Sequence, residues 1–234
     1  MSGAAWHEVS VELGGKNRLE AFSSELEPGN LTALIGPNGA GKSTALRALA
    51  GVLKLKSGSV SAPSLAYLPQ IRSVAWALSA KDLVAIGLSE GRHLFSQFDV
   101  EGQARILHGL ERADAIHLKD RPVQQLSGGE QARAHMARLF ASHAPLLILD
   151  EPLAGLDPAH QFDILRRLKE ETRDGRTIVI AMHDLMLAEK FCDRLLVLNK
   201  GKLAAEFNDA FISAPVLADV FGLQRNSGTL FGPL

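Results

Sequence analysis

Short apolar runs alternate with longer amphipathic stretches along this chain. Leu31–Ile35, interrupted only by Thr32, Leu146–Leu149 and Thr177–Ala181 are short, continuous and apolar, as strands buried on both faces are. Arg194–Asn199 and Lys202–Phe207 flank Lys200-Gly201 and predict a hairpin. Ala5–Leu13 and Arg18–Leu26 predict two more strands joined by a turn at Gly14-Gly15. Ser59–Leu68 reads as one short strand ending at Pro69-Gln70. Helical spacing marks Lys42–Ala50, Ala80–Gly87, Val100–Asp114, Glu130–Ala141, Leu185–Phe191 and Val216–Phe221. Pro158–Arg173 is a further helix, with Asp157 as its N-cap and Pro158 at its first position. Strands alternating with helices predict an α/β fold with a largely parallel sheet. Residues 72–142 favour helix throughout and read as a helical subdomain inserted into a core of 1–71 and 143–234. Together they make one domain over 1–234.

Composition narrows the class. The chain has 234 residues, 46% of them hydrophobic, enough for a real core. A formal net charge of −1 gives no basic footprint for nucleic acid. Cys192 is the single cysteine, which excludes a disulfide framework and fits a reducing compartment. No run approaches the roughly 18 apolar residues of a membrane span, and Met1–Glu8 lacks the apolar centre of a signal peptide.

The most specific chemistry lies between the strand Leu31–Ile35 and the helix that follows it. Gly36-Pro37-Asn38-Gly39-Ala40-Gly41-Lys42-Ser43, with Thr44 behind it, fits G-x-x-x-x-G-K-[ST]. Bare N–H groups and the dipole at a helix start favour an anion, and glycines let the backbone approach phosphate oxygens. Lys42 would reach the β- and γ-phosphates, and the Ser43 hydroxyl would ligate Mg²⁺.

Four weaker signals lie downstream. Asp150 and Glu151 end the run Leu147-Ile148-Leu149, where α/β folds build ligand sites. Asp150 suits Mg²⁺, and Glu151 can act as general base on water. Taken alone, the pair could equally be solvated acids at a strand end. Ser127-Gly128-Gly129-Glu130 reads as a capped helix start, and the same features make a second anion site. His183 follows the strand Thr177–Ala181 and could bond a γ-phosphate or orient water. Gln70 offers an amide to Mg²⁺, water or phosphate but carries no weight in isolation.

In order, GPNGAGKS, YLPQ, LSGGE, LLILDE, GLD and MHD resemble the ATP-binding cassette (ABC) ATPase family over essentially the whole chain. The resemblance implies a P-loop nucleotide-binding core with an antiparallel β part and an inserted helical subdomain. It makes Gly36–Thr44 the Walker A loop, Asp150 the Walker B aspartate and Glu151 the catalytic base. Gln70 becomes the Q-loop residue and His183 the switch histidine. Ser127–Glu130 becomes the signature segment contacting ATP on the opposite subunit, and Asp157 the D-loop aspartate at the dimer seam. ATP and Mg²⁺ are the implied cofactors. Where the family stacks adenine on an aromatic ring, this chain places Leu13, with Trp6 or His7 as the other candidates.

The segments from His183 to Ala188 and from Cys192 to Leu198 are similar to ATPases of iron–siderophore, haem and cobalamin importers. So are Ile71–Trp76, Asp157–Gln161 and Val216–Gly222. The 51 residues after His183 leave no room for an extra regulatory domain. The implied protein is peripheral, on the cytoplasmic face of the inner (plasma) membrane. It would be a homodimer when ATP-bound, with two permease subunits and a separate substrate-binding protein as partners and no nucleic acid. The alternatives are an efflux ATPase or a soluble cassette acting on nucleic acid or ribosomes. Apolar Val74, Ala75, Trp76 and Leu78 are expected either to pack the helical subdomain or to receive a permease helix.

Overall fold

The computed structural model describes residues 3–70, 78–88, 98–225 and 231–233. The fold is built around a six-stranded sheet. Its strands are β3 (Leu31–Ile35), β5 (Leu65–Leu68), β6 (Leu146–Asp150), β7 (Thr177–Ala181), β8 (Arg194–Asn199) and β9 (Lys202–Phe207). They run in the order β5-β6-β7-β3-β8-β9, all parallel except β9, which returns antiparallel beside β8. A second, antiparallel sheet holds β1 (Ala4–Leu13) between β2 (Lys16–Leu26) and β4 (Ser57–Ser61).

Strand alternation divides the interior in two. Leu34, Ile148, Val179 and Leu196 face one way and pack with Trp6, Phe22 and helix α1 (Lys42–Leu49) against the antiparallel sheet. Ala33, Leu147, Ile178 and Leu195 face the other way, onto the remaining helices. These are α2 (Ala80–Ile86), α3 (Val100–Arg112), α4 (Gly128–Ala141), α5 (Pro158–Arg173) and α6 (Leu185–Phe191). Burial on both faces explains why the central strands read as unbroken apolar runs.

The sequence reading needs three corrections. Ser59–Leu68 is not one strand. β4 pairs with β1 in the antiparallel sheet, whereas β5 forms the edge of the main sheet beside β6. Pro63 lies between them and lacks the N–H that a continuous ladder would use. The last helix begins earlier, at Ala214–Val216, and continues as a π-turn over Leu217–Phe221 before Gly222 at φ 65°. A small hairpin, β10 (Leu223–Arg225) with β11 (Phe231–Pro233), was not anticipated. Ile71, Arg72, Val74, Ala75 and Trp76 fall outside the described residues, so the docking segment read from them is not described either. Among the described residues, no helix is long and apolar enough to cross a membrane.

Candidate nucleotide site

The phosphate loop leaves the C-terminal end of β3 and enters α1. Its glycines are dictated by geometry. Gly36 has φ 151°, and a β-carbon there would lie 2.2 Å from the carbonyl oxygen of Leu198. Gly41 has φ 110° and faces the carbonyl of Arg18 at 2.8 Å from a built β-carbon. The β8–β9 turn supports the loop from outside: Gly201 N–H donates to Ala40 O at 2.9 Å, and Gly201 O accepts from Glu20 N–H at 2.9 Å. Gly36→Ala is therefore expected to destabilise the chain by about 2–3 kcal/mol, roughly 4–12 °C in melting temperature, and to weaken ATP binding. Calorimetry and nucleotide titration test this. Unchanged melting and affinity would show that the close approach imposes nothing.

Lys42 is buried and folds back, with Nζ donating to Gly36 O at 2.8 Å and Pro37 O at 3.3 Å. Burial pulls its ammonium below the ordinary lysine range, against the opposing pull of Glu151 and Asp150. The Ser43 hydroxyl donates to Asp150 Oδ1 at 2.8 Å. Asp150 is buried at the end of β6, and burial raises its carboxyl, opposed by the Ser43 bond and reinforced by Glu151. A hydroxyl and a carboxylate converging beside a phosphate loop are the hard oxygen donors that Mg²⁺ prefers.

Glu151 follows at φ 49°, a conformation that costs a non-glycine residue on the order of 1 kcal/mol or more. Both of its oxygens are engaged: Oε2 accepts from Gln70 Nε2 at 2.7 Å, and Oε1 lies 2.6 Å from His183 Nε2. Glu151, His183 and Gln70, drawn from three strand ends, thus meet, a mutual contact the sequence reading did not foresee. A cleft of about 160 Å³ opens beside Glu151 and His183, between Ala154-Gly155 and Asp184.

The sequence reading missed Tyr67. Its hydroxyl hydrogen-bonds Asp150, and its pKa is pushed up to about 12 by burial and then by the Asp150 charge. The available signal was that the chain's one tyrosine sits in a strand ending just before Gln70.

Ser127, Gly128, Gly129 and Asp157 form a second group. Ser127 caps α4 in a reciprocal capping box: Ser127 Oγ accepts from Glu130 N–H at 3.3 Å, and Glu130 Oε2 accepts from Ser127 N–H at 2.8 Å. Asp157 caps α5, accepting from His160 N–H at 3.1 Å, and its Oδ2 lies 2.5 Å from His160 Nδ1. His160 Nε2 would lie 3.4 Å from a β-carbon on Gly129, so the two helix starts adjoin within one chain. Leu13 closes β1 opposite Lys16 and is partly exposed. Trp6 is buried, donates Nε1–H to Ala45 O at 2.8 Å and stacks edge-on against Phe22, which removes it as a base-stacking candidate.

A phosphate loop rising from a parallel sheet, with a hydroxyl–aspartate pair and a strapped glutamate beside it, defines a P-loop nucleotide hydrolase. The ABC transporter family model matches residues 19–154. The hemin import ATP-binding protein HmuV of Pseudomonas aeruginosa is 38% identical over 240 residues, covering 92% of this chain and 91% of the relative. HmuV of Streptomyces coelicolor is 39% identical over 218 residues, covering 86% and 76%. Among solved structures, a metal-chelate type ABC transporter in an inward-facing conformation superposes with a TM-score of 0.88. It has 25% identity, covering 100% of this chain and 98% of that one. The chain cbiO1 from Clostridium perfringens, part of the ABC transporter complex cbiONQ, gives 0.76 at 27% identity, covering 92% and 90%. The chain belongs to the ABC transporter ATPases. It binds and hydrolyses ATP as the energy-coupling subunit of an importer.

Proposed function

We propose that this subunit powers import of haem, within the iron–siderophore, haem and cobalamin class of chelates. The observation that carries the reading is the HmuV likeness, 38% identity over 92% of the chain. The metal-chelate transporter fold match supports the same class. The ATPase works at the cytoplasmic face of the inner membrane on two permease subunits, supplied by a separate substrate-binding protein.

The site residues take the following roles. Gly36, Asn38, Gly39, Ala40, Gly41, Lys42, Ser43 and Thr44 cradle the phosphates. Ser43 and Asp150 hold Mg²⁺, with Gln70 able to join them. The ion neutralises phosphate charge when bound. Glu151 accepts the proton of the attacking water, and His183 holds Glu151 and the γ-phosphate region in register. Leu13 covers the base by dispersion alone. Ser127, Gly128, Gly129 and Asp157 act across a homodimer, on nucleotide bound by the second copy. Their caps are satisfied within the chain, so the serine and the free helix-start amides are presented ready-formed. The helical subdomain read over residues 72–142 carries the signature helix α4 in its described part.

Deletion of the coding gene in the source organism, with haemin as sole iron source, tests the reading. Growth should fail, return with the unmodified gene and not return with Glu151→Gln. Growth on haemin unaffected by the deletion would remove haem as the substrate.

A further inference from the structure

A second cleft, of about 250 Å³, opens at the N-terminal ends of β5 and β6, away from the phosphate loop. That is several times the ~30 Å³ a liquid water occupies. Arg138 of α4, Arg105 of α3 and His143 line it, with the hydroxyl-bearing Ser64 and Ser142. No carboxylate lines it among the described residues.

Several arginines of this molecule are held by carboxylates. Arg112 meets Glu171 and Asp174, Arg167 meets Asp163, Arg176 meets Glu171, and Arg194 meets Glu206. Among the described residues, Arg138 and Arg105 hydrogen-bond only neutral carbonyls: Arg138 Nη2 donates to Tyr67 O at 3.3 Å, and Arg105 donates to Ala141 O at 3.3–3.4 Å. Guanidinium stays charged at any physiological pH, so burial cannot be relieved by losing a proton. Burial pulls Arg138 below the ordinary arginine range with no acid to offset it. Two forked donors facing one polar cleft, with spare N–H groups and no anion of their own, match a tetrahedral oxyanion.

We propose that this cleft is an anion site for a single phosphate-class oxyanion, separate from the phosphate loop. Arg138 and Arg105 supply the charge-assisted bonds. Ser64 adds a hydroxyl, the Ser142 hydroxyl being already committed to Leu139 O at 2.6 Å, and Leu65, Ile86 and Leu139 form the apolar wall. One residue joins the site to the chemistry. Tyr67 accepts from Arg138 through its carbonyl and donates to Asp150 through its hydroxyl. An anion drawing on Arg138 therefore acts one residue away from the Walker B aspartate.

The full chain is saturated with Mg²⁺ and ADP so that the phosphate loop is filled, and inorganic phosphate is then titrated by calorimetry at fixed ionic strength. One phosphate per chain should bind. Arg105→Gln and Arg138→Gln should each weaken it about tenfold or more, the scale of one lost charge-assisted bond, with ADP affinity unchanged. Arg105 is partly exposed, so its variant decides the matter should Arg138→Gln fold poorly. No phosphate uptake by the ADP-loaded wild type would overturn the proposal, as would full uptake by Arg105→Gln. Acetate is the second probe, and its binding in preference to phosphate would equally overturn the assignment.

Discussion

Replacing Glu151 by glutamine is expected to lower ATP turnover by at least ~10²-fold while leaving ATP binding close to wild type. The substitution keeps size and hydrogen bonding but removes the basic oxygen. The phosphate-loop hydrogen bonds are kept, because Lys42 and Ser43 bond elsewhere, to Gly36, Pro37 and Asp150. The same variant should accumulate as an ATP-bound dimer, seen as a doubled mass on size exclusion with ATP and not with ADP. The structure adds one point. Glu151 is strapped by Gln70 and His183, so removing either strap should cost less than removing the base itself. Near-normal hydrolysis by Glu151→Gln would take Glu151 out of the mechanism.

Ser127→Arg should abolish most turnover, by about 10²-fold, through loss of preorganised donors at the second copy's phosphate. Ser127 is also an N-cap, and losing the cap costs only ~1 kcal/mol, or ~2–4 °C in melting temperature. The variant should thus melt slightly lower, bind nucleotide through Lys42 and fail to form the ATP dimer. Mixing it with Lys42→Ala chains leaves at most one intact composite site per dimer. A Ser127→Arg protein that hydrolyses ATP at the wild-type rate rules out sharing across the dimer.

Much of this was legible because the relevant constraint is local. Leu31–Ile35 and Thr177–Ala181 match their strands to the residue because strands buried on both faces are largely apolar, and Arg194–Asn199 matches through its hairpin turn at Lys200-Gly201. Asp157-Pro158 fixed the start of α5 through cap chemistry that acts over three residues. What was not legible depends on partners distant in sequence. Whether Leu65–Leu68 continues Ser57–Ser61 is decided by Leu146–Asp150, which captures it. Glu8, at φ 49°, sits in a β1 irregularity set by close approach of Gly58 rather than by any local pattern. Tyr67 gains its role only because β5 lies beside β6. Trp6 looked available to a base until α1 offered it the Ala45 carbonyl.

The Gly201 support of the phosphate loop bears on how this protein is made. The loop lies within the first fifth of the chain, yet its strand β3 sits between β7 and β8, and Ala40 is held by a residue 161 positions later. A ribosome adding about 5–20 residues per second needs on the order of ten seconds to supply that residue after the loop has emerged. For most of that interval, until β7 and β8 have been made, the apolar β3 has no strand beside it, and the loop lacks its Gly201 support throughout. Firm nucleotide capture therefore waits on the β8–β9 turn rather than on the emergence of the loop itself.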